Sequence, residues 1–159
     1  MNQDLSFLII EDHQTFSSEM VYELSELDRL YFPTPWTFDS WANLFDEHER
    51  LLVILKYQNF TIGFCLFDKS VEDSFAHLLK ILIDPKYRMQ GYSKKILKMA
   101  LNNLEVCGCS KLFLEVEEDN RAAQSLYLGL GFQIIHRKKD FYGADRSALI
   151  MTKANKSYS

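Results

Sequence analysis

A glutamate lies in the middle of an otherwise apolar strand sequence, the segment "KLFLEVEE" of residues 111–118. Alternation along a strand puts the two leucines and the valine on one face, so Phe113, Glu115 and Glu117 share the other face. A carboxylate in such a segment is costly to bury unless it has a partner or a chemical task. Glu115 is therefore a candidate functional residue, and a solvated glutamate on the outer face is the alternative.

A second candidate is the turn in "LIDPKYRMQGYSKK", residues 82–95, where an apolar strand meets an amphipathic helix. A strand, a tight turn and a helix start put unpaired backbone N–H groups at the positive end of a helix dipole, which favours anions. The glycine-rich nucleotide-binding motifs are excluded because Gly91 is the single glycine there. The alternative is a plain connecting loop.

Composition excludes several classes of protein. The net charge of −4 argues against a nucleic-acid-binding protein, which needs a basic face. The N-terminal sequence does not predict a signal peptide, and the longest apolar run, residues 51–55, is too short to span a bilayer. We therefore expect a cytoplasmic protein with no membrane or nucleic-acid partner.

No metal site is expected either. The cysteines show no zinc-ligand spacing and are interpreted as thiols in a reducing compartment, and the histidines are scattered and are assigned no role. These residues are Cys65, Cys107 and Cys109, and His13, His48, His77 and His136.

The elements that position these residues follow from apolar periodicity and turn signals. The first helix, from about Ser17, is expected to bury Met20, Leu24, Leu27 and Tyr31. Prolines at 33 and 35 end it, and a short helix capped by Thr37 follows. The complete order is β-α-α-β-β-β-α-β-α-β-β, which predicts a mixed α/β (α+β) sheet with helices on its faces. One domain is expected over residues 1–159, with a flexible tail over about 154–159.

Three motifs resemble those of a known family. "RMQGYS", residues 88–93, fits the pattern Q/R-x-x-G-x-G/A with Ser93 at the final small position. "LEVEEDNRAAQSLYLGLGF", residues 114–132, matches "LEV…N..A..LY..LGF" at every specified position. The chain resembles the GNAT superfamily of N-acetyltransferases over residues 5–153, and the "PW" of residues 35–36 resembles its RimI-like branch of N-terminal acetyltransferases.

The resemblance implies a largely antiparallel mixed sheet, splayed between strands 4 and 5 and flanked by about four helices. It implies acetyl-CoA as cosubstrate, with the pantetheine arm on the backbone of the fourth strand and the pyrophosphate on amides of the turn. Asn120 would contact CoA, cap a helix, or do both. The implied cosubstrate-binding residues are Ile81, Leu82, Ile83, Arg88, Met89, Gln90, Gly91, Tyr92, Ser93 and Asn120.

The resemblance also implies direct acetyl transfer. Glu115 would deprotonate the acceptor amine, directly or through water, and Tyr127 would protonate the departing CoA sulfur; a core tyrosine is the alternative for Tyr127. Phe141 and Tyr142 would lie near the acceptor. Neutralising an α-amine at pH 7 costs about 1 kcal/mol, against about 4.6 kcal/mol for a lysine, so an N-terminal acceptor needs only a modest base.

The function expected on these grounds is acetylation of a protein N-terminus, with a small-subunit ribosomal protein as the implied acceptor. Three other hypotheses remain open at this point. The acceptor could be a small-molecule amine or a lysine side chain, or the domain could be a non-catalytic acyl-CoA-binding module. A nucleotide-binding signalling domain is disfavoured because the glycines it needs are missing.

Overall fold

The computed structural model describes residues 4–155 and confirms the predicted order of elements. Over this range the strands and helices are β1 (Leu5–Ile10), α1 (Ser18–Tyr31), α2 (Phe38–Ala42), β2 (Arg50–Tyr57), β3 (Phe60–Ser70), β4 (Phe75–Ile83), α3 (Tyr92–Val106), β5 (Lys111–Glu117), α4 (Arg121–Gly129), β6 (Gln133–Lys138) and β7 (Ala148–Ala154). Two single 3-10 turns, His13–Thr15 and Pro85–Tyr87, were not predicted. No helix within the described range is long and apolar enough to cross a bilayer.

The strands form one mixed sheet in the order β1-β2-β3-β4-β5-β7-β6. The pairs β1–β2, β2–β3, β5–β7 and β6–β7 are antiparallel, whereas β4 and β5 run parallel. The parallel ladder joins Phe75–His77 to Lys111–Phe113 and ends at the pair His77–Phe113. The predicted mixed, largely antiparallel sheet is confirmed, and the short ladder agrees with the expected splay.

The chain divides into two compact units. The first unit contains the residues up to Asp68 together with Leu79–Ala100, and the second contains Lys69–Leu78 together with the residues from Leu101 onward. The single domain over 1–159 stays a prediction. Of the expected tail, residues 156–159 lie outside the described residues; Ala154 ends β7, and the Asn155 side chain donates to the Cys109 carbonyl at 2.9 Å.

Helix α1 buries a different set of residues from the one predicted. Ser17 caps the helix by accepting from the Met20 N–H at 3.2 Å, and Leu24 is buried as expected. Tyr31 is 37% exposed, so its predicted place in the buried stripe is wrong. The last buried position is Asp28, and the next helical turn faces away from the core.

Helix α2 is capped as predicted, because Thr37 accepts from the Ser40 N–H at 3.1 Å. Trp41 is fully buried and packs edge-on against Phe64, with 5.2 Å between ring centroids. Both rings belong to one buried apolar cluster of the first unit. Its other members are Ile10, Phe16, Val21, Leu24, Leu27, Leu44, Phe45, Leu52, Ile54, Leu66 and Leu82.

An ion pair lies inside this apolar core. Lys80 of β4 donates to both carboxylate oxygens of Asp28, at 2.8 and 2.9 Å, and to the Thr34 carbonyl at 3.2 Å. Asp28 Oδ2 also accepts from the Trp36 N–H and from the Trp41 Nε1–H, both at 2.9 Å. The two charged side chains are 2% and 0% exposed, so the pair satisfies its hydrogen bonds without water.

Two aromatic rings complete the surroundings of the ammonium group. Lys80 Nζ lies 4.1 Å from the centroid of Phe32 and 4.9 Å from that of Trp36. Burial lowers the pKa of Lys80, while the hydrogen bonds and charge of Asp28 oppose that change. The pair therefore fixes the segment of residues 32–37, which joins α1 to α2 and has no regular structure of its own.

Replacing Lys80 by methionine should lower the free energy of unfolding by about 3 kcal/mol, because it leaves the Asp28 carboxylate buried without its counterion. The double variant Asp28→Asn/Lys80→Met should recover part of that loss, since no charge is left and the asparagine oxygen can still accept from both tryptophans. Urea denaturation of the two variants measures both effects. Wild-type stability of Lys80→Met would contradict the prediction.

Candidate active site

Strand β5 alternates as the sequence predicts. Leu112, Leu114 and Val116 are buried, whereas Glu115 is only partly buried, with 21% of its side chain exposed. Its backbone pairs with Ile150 of β7, which fixes the strand from one side. Glu115 is therefore a carboxylate held on a rigid strand and still reached by solvent, as an acid–base group must be.

His77 is the direct partner of Glu115. The two atoms His77 Nε2 and Glu115 Oε2 lie 2.6 Å apart, and 23% of the histidine side chain is exposed. The imidazole stacks on Phe113 with a centroid distance of 4.2 Å and an interplanar angle of 13°. The sequence pointed to Glu115 but not to His77, because only the register of a parallel strand pair brings the two together.

The loop between β6 and β7 adds aromatic and charged groups to the second unit. Arg146 Nε donates to Glu117 Oε1 at 2.6 Å, and the guanidinium lies over the Tyr142 ring, 5.8 Å from its centroid. Burial, and then the charges of Glu115 and Glu117, raise the pKa of Tyr142 to about 12. The Tyr142 hydroxyl is therefore protonated at neutral pH and lies within the electrostatic reach of Glu115.

Two of the three acids that end β5 are paired with arginines. Glu117 pairs with Arg146, and Glu118 accepts two hydrogen bonds from Arg137, at 2.8 and 2.9 Å. The hydrogen bonds from Arg137 lower the pKa of Glu118. The two arginines therefore offset the charges of Glu117 and Glu118.

Helix α4 provides the two remaining candidates in this unit. Asn120 is its N-cap and accepts from the Ala123 N–H at 3.1 Å, which confirms the local explanation of that residue. Tyr127 is only 5% exposed and packs edge-on against Phe132. Gly131 follows the helix in the left-handed region, at φ +95°, a conformation that favours glycine after a helix end.

The first unit contains the predicted anion-binding turn. Asp84 caps the 3-10 turn by accepting from the Lys86 N–H at 3.0 Å, and Arg88 Nε donates to the Ile83 carbonyl at 3.0 Å. Met89, which is fully exposed, and Gly91 both adopt left-handed conformations, with φ of 65° and 79°. The chain thereby reverses in a few residues between β4 and α3.

The start of α3 supplies backbone donors. The Gly91 carbonyl accepts from the Lys95 N–H at 3.2 Å, so the amides of Tyr92, Ser93 and Lys94 belong to the first helical turn and have no acceptor within the helix. Apart from the chain neighbours of Gly91, no described residue has an atom within 4 Å of the position that a Cβ on Gly91 would occupy. Open space at Gly91, amides without a helical acceptor and the dipole of a 15-residue helix together suit a pyrophosphate.

The strand before this turn places the other predicted cosubstrate residues. Ile81 is half-buried, whereas Leu82 and Ile83 are buried, so any contact with a cosubstrate here would be through the backbone. The Ile83 carbonyl is already an acceptor for Arg88. Arg88 is thus anchored to the strand by its Nε. Its other guanidinium nitrogens remain available to donate hydrogen bonds to an anion.

Comparison with known proteins identifies the family. Residues 19–132 match the family model described as the acetyltransferase (GNAT) family. The chain belongs to this family. A GNAT protein of this kind is an N-acetyltransferase, and acetyl-CoA is the cosubstrate of the family. The fit between the α3 turn and a pyrophosphate agrees with that cosubstrate.

Several GNAT acetyltransferases are similar to this chain. The [ribosomal protein bS18]-alanine N-acetyltransferase of Haemophilus ducreyi is 31% identical, over 87% of this chain and 96% of that enzyme. The crystal structure of the ribosomal-protein-S18-alanine N-acetyltransferase from Escherichia coli has a TM-score of 0.83 at 23% identity, covering 97% of both chains. Naa50 of Arabidopsis thaliana, in complex with a bisubstrate analogue, has a TM-score of 0.78 at 16% identity, covering 96% of this chain and 99% of that one.

The electrostatic contact between Glu115 and Tyr142 can be tested directly. Replacing Glu115 by glutamine should lower the pKa of Tyr142 from about 12, because one of the carboxylates that disfavour the tyrosinate is removed. NMR titration of 13C-labelled tyrosine rings measures this value. Glu118→Gln is the matched control and should leave the pKa of Tyr142 unchanged, since the Glu118 charge is paired with Arg137. Equal values in Glu115→Gln and wild type would contradict the contact.

Proposed function

We propose that this acetyltransferase transfers the acetyl group of acetyl-CoA to the α-amine of a protein N-terminus, and that the acceptor is a ribosomal protein. The main support from the structure is Glu115, a partly exposed carboxylate fixed at the centre of β5. The acceptor is inferred from the H. ducreyi relative, which is named for the alanine of ribosomal protein bS18. An acceptor of that kind would place the enzyme in the cytoplasm, which is the location that the sequence predicts.

Glu115 is assigned the role of general base. The acceptor enters largely as an ammonium group and must lose a proton before its nitrogen can attack the thioester carbonyl. Glu115 takes that proton, directly or through one water molecule. An α-amine loses its proton at a cost of about 1 kcal/mol at pH 7, whereas a lysine requires about 4.6 kcal/mol, so a single carboxylate suits an N-terminal acceptor better.

Tyr127 is assigned the role of general acid. When the carbon–sulfur bond breaks, the CoA thiolate needs a proton, and the Tyr127 hydroxyl donates it. The side chain is 5% exposed and belongs to a helix that Asn120 caps, so its position is well defined. Proton transfers of this kind typically contribute roughly 10²–10⁴-fold in rate.

Acetyl-CoA is assigned to the first unit through two sets of groups. The backbone of Ile81, Leu82 and Ile83 would bind the pantetheine arm, and the turn from Arg88 to Ser93 would bind the pyrophosphate. The amides of Tyr92 and Ser93 belong to the first turn of α3, where an anion is favoured by the dipole. Met89 and Gln90 would contribute through their backbone, as parts of this turn. Asn120 of the second unit remains a proposed CoA contact.

The loop between β6 and β7 is assigned to the acceptor. Phe141 and Tyr142 are 41% and 37% exposed and pack edge-on against each other with 4.9 Å between centroids. Partly exposed aromatic rings of this kind provide contact area at low conformational cost. These rings are linked to the candidate base electrostatically, because the charge of Glu115 helps to raise the pKa of Tyr142.

A CoA-release assay tests the proposed function. Peptides that begin with a small residue followed by basic or aromatic residues should release CoA, because their α-amines are easily neutralised. A peptide whose α-amine is blocked and whose lysine is free should release much less. Activity on polyamines, aminoglycosides or free amino acids with none on peptides would show that the acceptor is a small molecule and overturn the proposal.

Two conservative variants distinguish an enzyme from a non-catalytic acyl-CoA-binding module. Glu115→Gln and Tyr127→Phe should each lower kcat by roughly 10²-fold or more while acetyl-CoA still binds. Calorimetry with acetyl-CoA provides the control for folding and binding. Turnover at wild-type rates in both variants would remove these two residues from the mechanism.

The turn before α3 has its own test. Gly91→Val should abolish CoA binding, because a branched side chain at φ +79° strains the turn and fills the open space above the amides. Ser93→Gly should keep CoA affinity within about tenfold, or roughly 1.4 kcal/mol. Calorimetry measures both affinities. Tight CoA binding by Gly91→Val would mean that the pyrophosphate binds elsewhere.

A further inference from the structure

His77 has no part in the function described so far, although it is the hydrogen-bond partner of the candidate base. Its Nε2 lies 2.6 Å from Glu115 Oε2, and each side chain is about one-fifth exposed, at 23% and 21%. A hydrogen bond to a carboxylate at this distance is short and charge-assisted. It restrains the side chain that is proposed as the base.

The position of His77 is itself fixed by three features of the second unit. The ladder pairs His77 with Phe113, two residues before Glu115 on the same face of β5. Phe113 stacks on the imidazole. Phe75, which precedes His77 by two residues on β4, stacks on Phe113 in turn, with 5.8 Å between centroids. The ring can therefore neither swing away nor turn freely.

Ser74 secures the register of this ladder. Its carbonyl accepts from the N–H groups of Ser110 and Lys111, at 3.1 and 3.0 Å, and its hydroxyl donates to the Gly108 carbonyl at 2.6 Å. These bonds join the residue before β4 to the residues that open β5. The distance between His77 and Glu115 is thus set by main-chain bonds and does not depend on the two side chains alone.

We propose that His77 is a positioning residue for the base: it donates from Nε2–H to Glu115 Oε2 and leaves Oε1 to receive the proton of the acceptor amine. This inference rests on the proposed role of Glu115. A carboxylate acts as a better base when one oxygen is held and the other is presented in a single orientation. His77 gives up no proton in this step; the amine proton goes to Oε1.

The identity of the partner matters for the chemistry. Glu118 is paired with Arg137, whose hydrogen bonds lower the pKa of that carboxyl and so weaken it as a base. Glu117 is likewise paired with an arginine, Arg146. The partner of Glu115 is instead a histidine, whose Nε2 orients one carboxylate oxygen and which lacks the permanent charge of a guanidinium. The hydrogen-bond partner of Glu115 thus orients the carboxylate without a permanent positive charge.

The first test compares two amides at position 77. In His77→Gln the terminal nitrogen reaches the place of Nε2, whereas in His77→Asn it reaches only the place of Nδ1. We expect His77→Asn to lower kcat roughly tenfold or more with the peptide acceptor, and His77→Gln to stay within about threefold of wild type. The KM for acetyl-CoA should be unchanged in both. Equal losses in the two variants would overturn the proposal, and His77→Ala replaces His77→Asn if the latter does not fold.

The second test is a double-mutant cycle with Glu115→Gln. If His77 acts through Glu115, His77→Asn should have no further effect on kcat in the Glu115→Gln protein. Losses that multiply would indicate an independent or structural role and overturn the inference. Two outcomes distinguish a failure of the proposed function from a failure of this inference. A wild-type kcat in Glu115→Gln would remove Glu115 as the base. A lowered kcat in Glu115→Gln together with a wild-type kcat in His77→Asn would overturn only the role of His77.

Discussion

The buried ion pair of Asp28 and Lys80 is the constraint on which the first unit depends. It joins α1 to β4 and holds, by hydrogen bonds to Thr34, Trp36 and Trp41, the segment between α1 and α2. Buried ion pairs often contribute little net stability, because the cost of desolvation offsets the attraction. Their effect is to specify an arrangement: any other path of the segment would deprive the two buried charges of their hydrogen bonds to Thr34 and Trp36. The pair therefore determines where a proline-containing loop lies.

The second unit uses charge in a different way. Its acids on and after β5 differ in partner, since Glu117 and Glu118 are matched with arginines whereas Glu115 is matched with a histidine. The Arg146 pair ties the loop between β6 and β7 to the end of β5, and the hydrogen bonds from Arg137 of β6 lower the pKa of Glu118. Glu115 is restrained by an imidazole, which carries no permanent charge. The carboxylate that is proposed to act in catalysis thus differs from its two neighbours in the residue type of its partner.

Local patterns in the sequence were enough to predict the order of the elements. The cap at Thr37 follows from interactions within a few residues, and the structure confirms it. The same holds for the outer face of β5, which singled out Glu115. The prediction that Tyr31 is buried was wrong, because periodicity alone cannot tell where a helix stops facing the core. The last buried residue of α1 is the charged Asp28.

The features that the sequence could not predict are contacts between distant residues. Asp28 and Lys80 are separated by 52 positions, and His77 and Glu115 by 38. Lys80 is a charge within an apolar strand, which indicates that it needs a partner, but no local pattern identifies that partner or marks His77. The register of the parallel pair β4–β5 decides which residue meets Glu115, and this register depends on the whole sheet and on the bonds of Ser74.

The turn before α3 has a consequence for how such a chain can change over evolutionary time. Its amide donors belong to the main chain, and the side chains of Lys86 and Gln90 are exposed. Mutations at these two positions should leave the amide donors unchanged, whereas Gly91 is needed for its left-handed conformation and Arg88 for its bond to the Ile83 carbonyl. With the pyrophosphate bound here as proposed, much of the turn's sequence can drift while the ligand stays the same, and one glycine serves where other phosphate-binding turns use three.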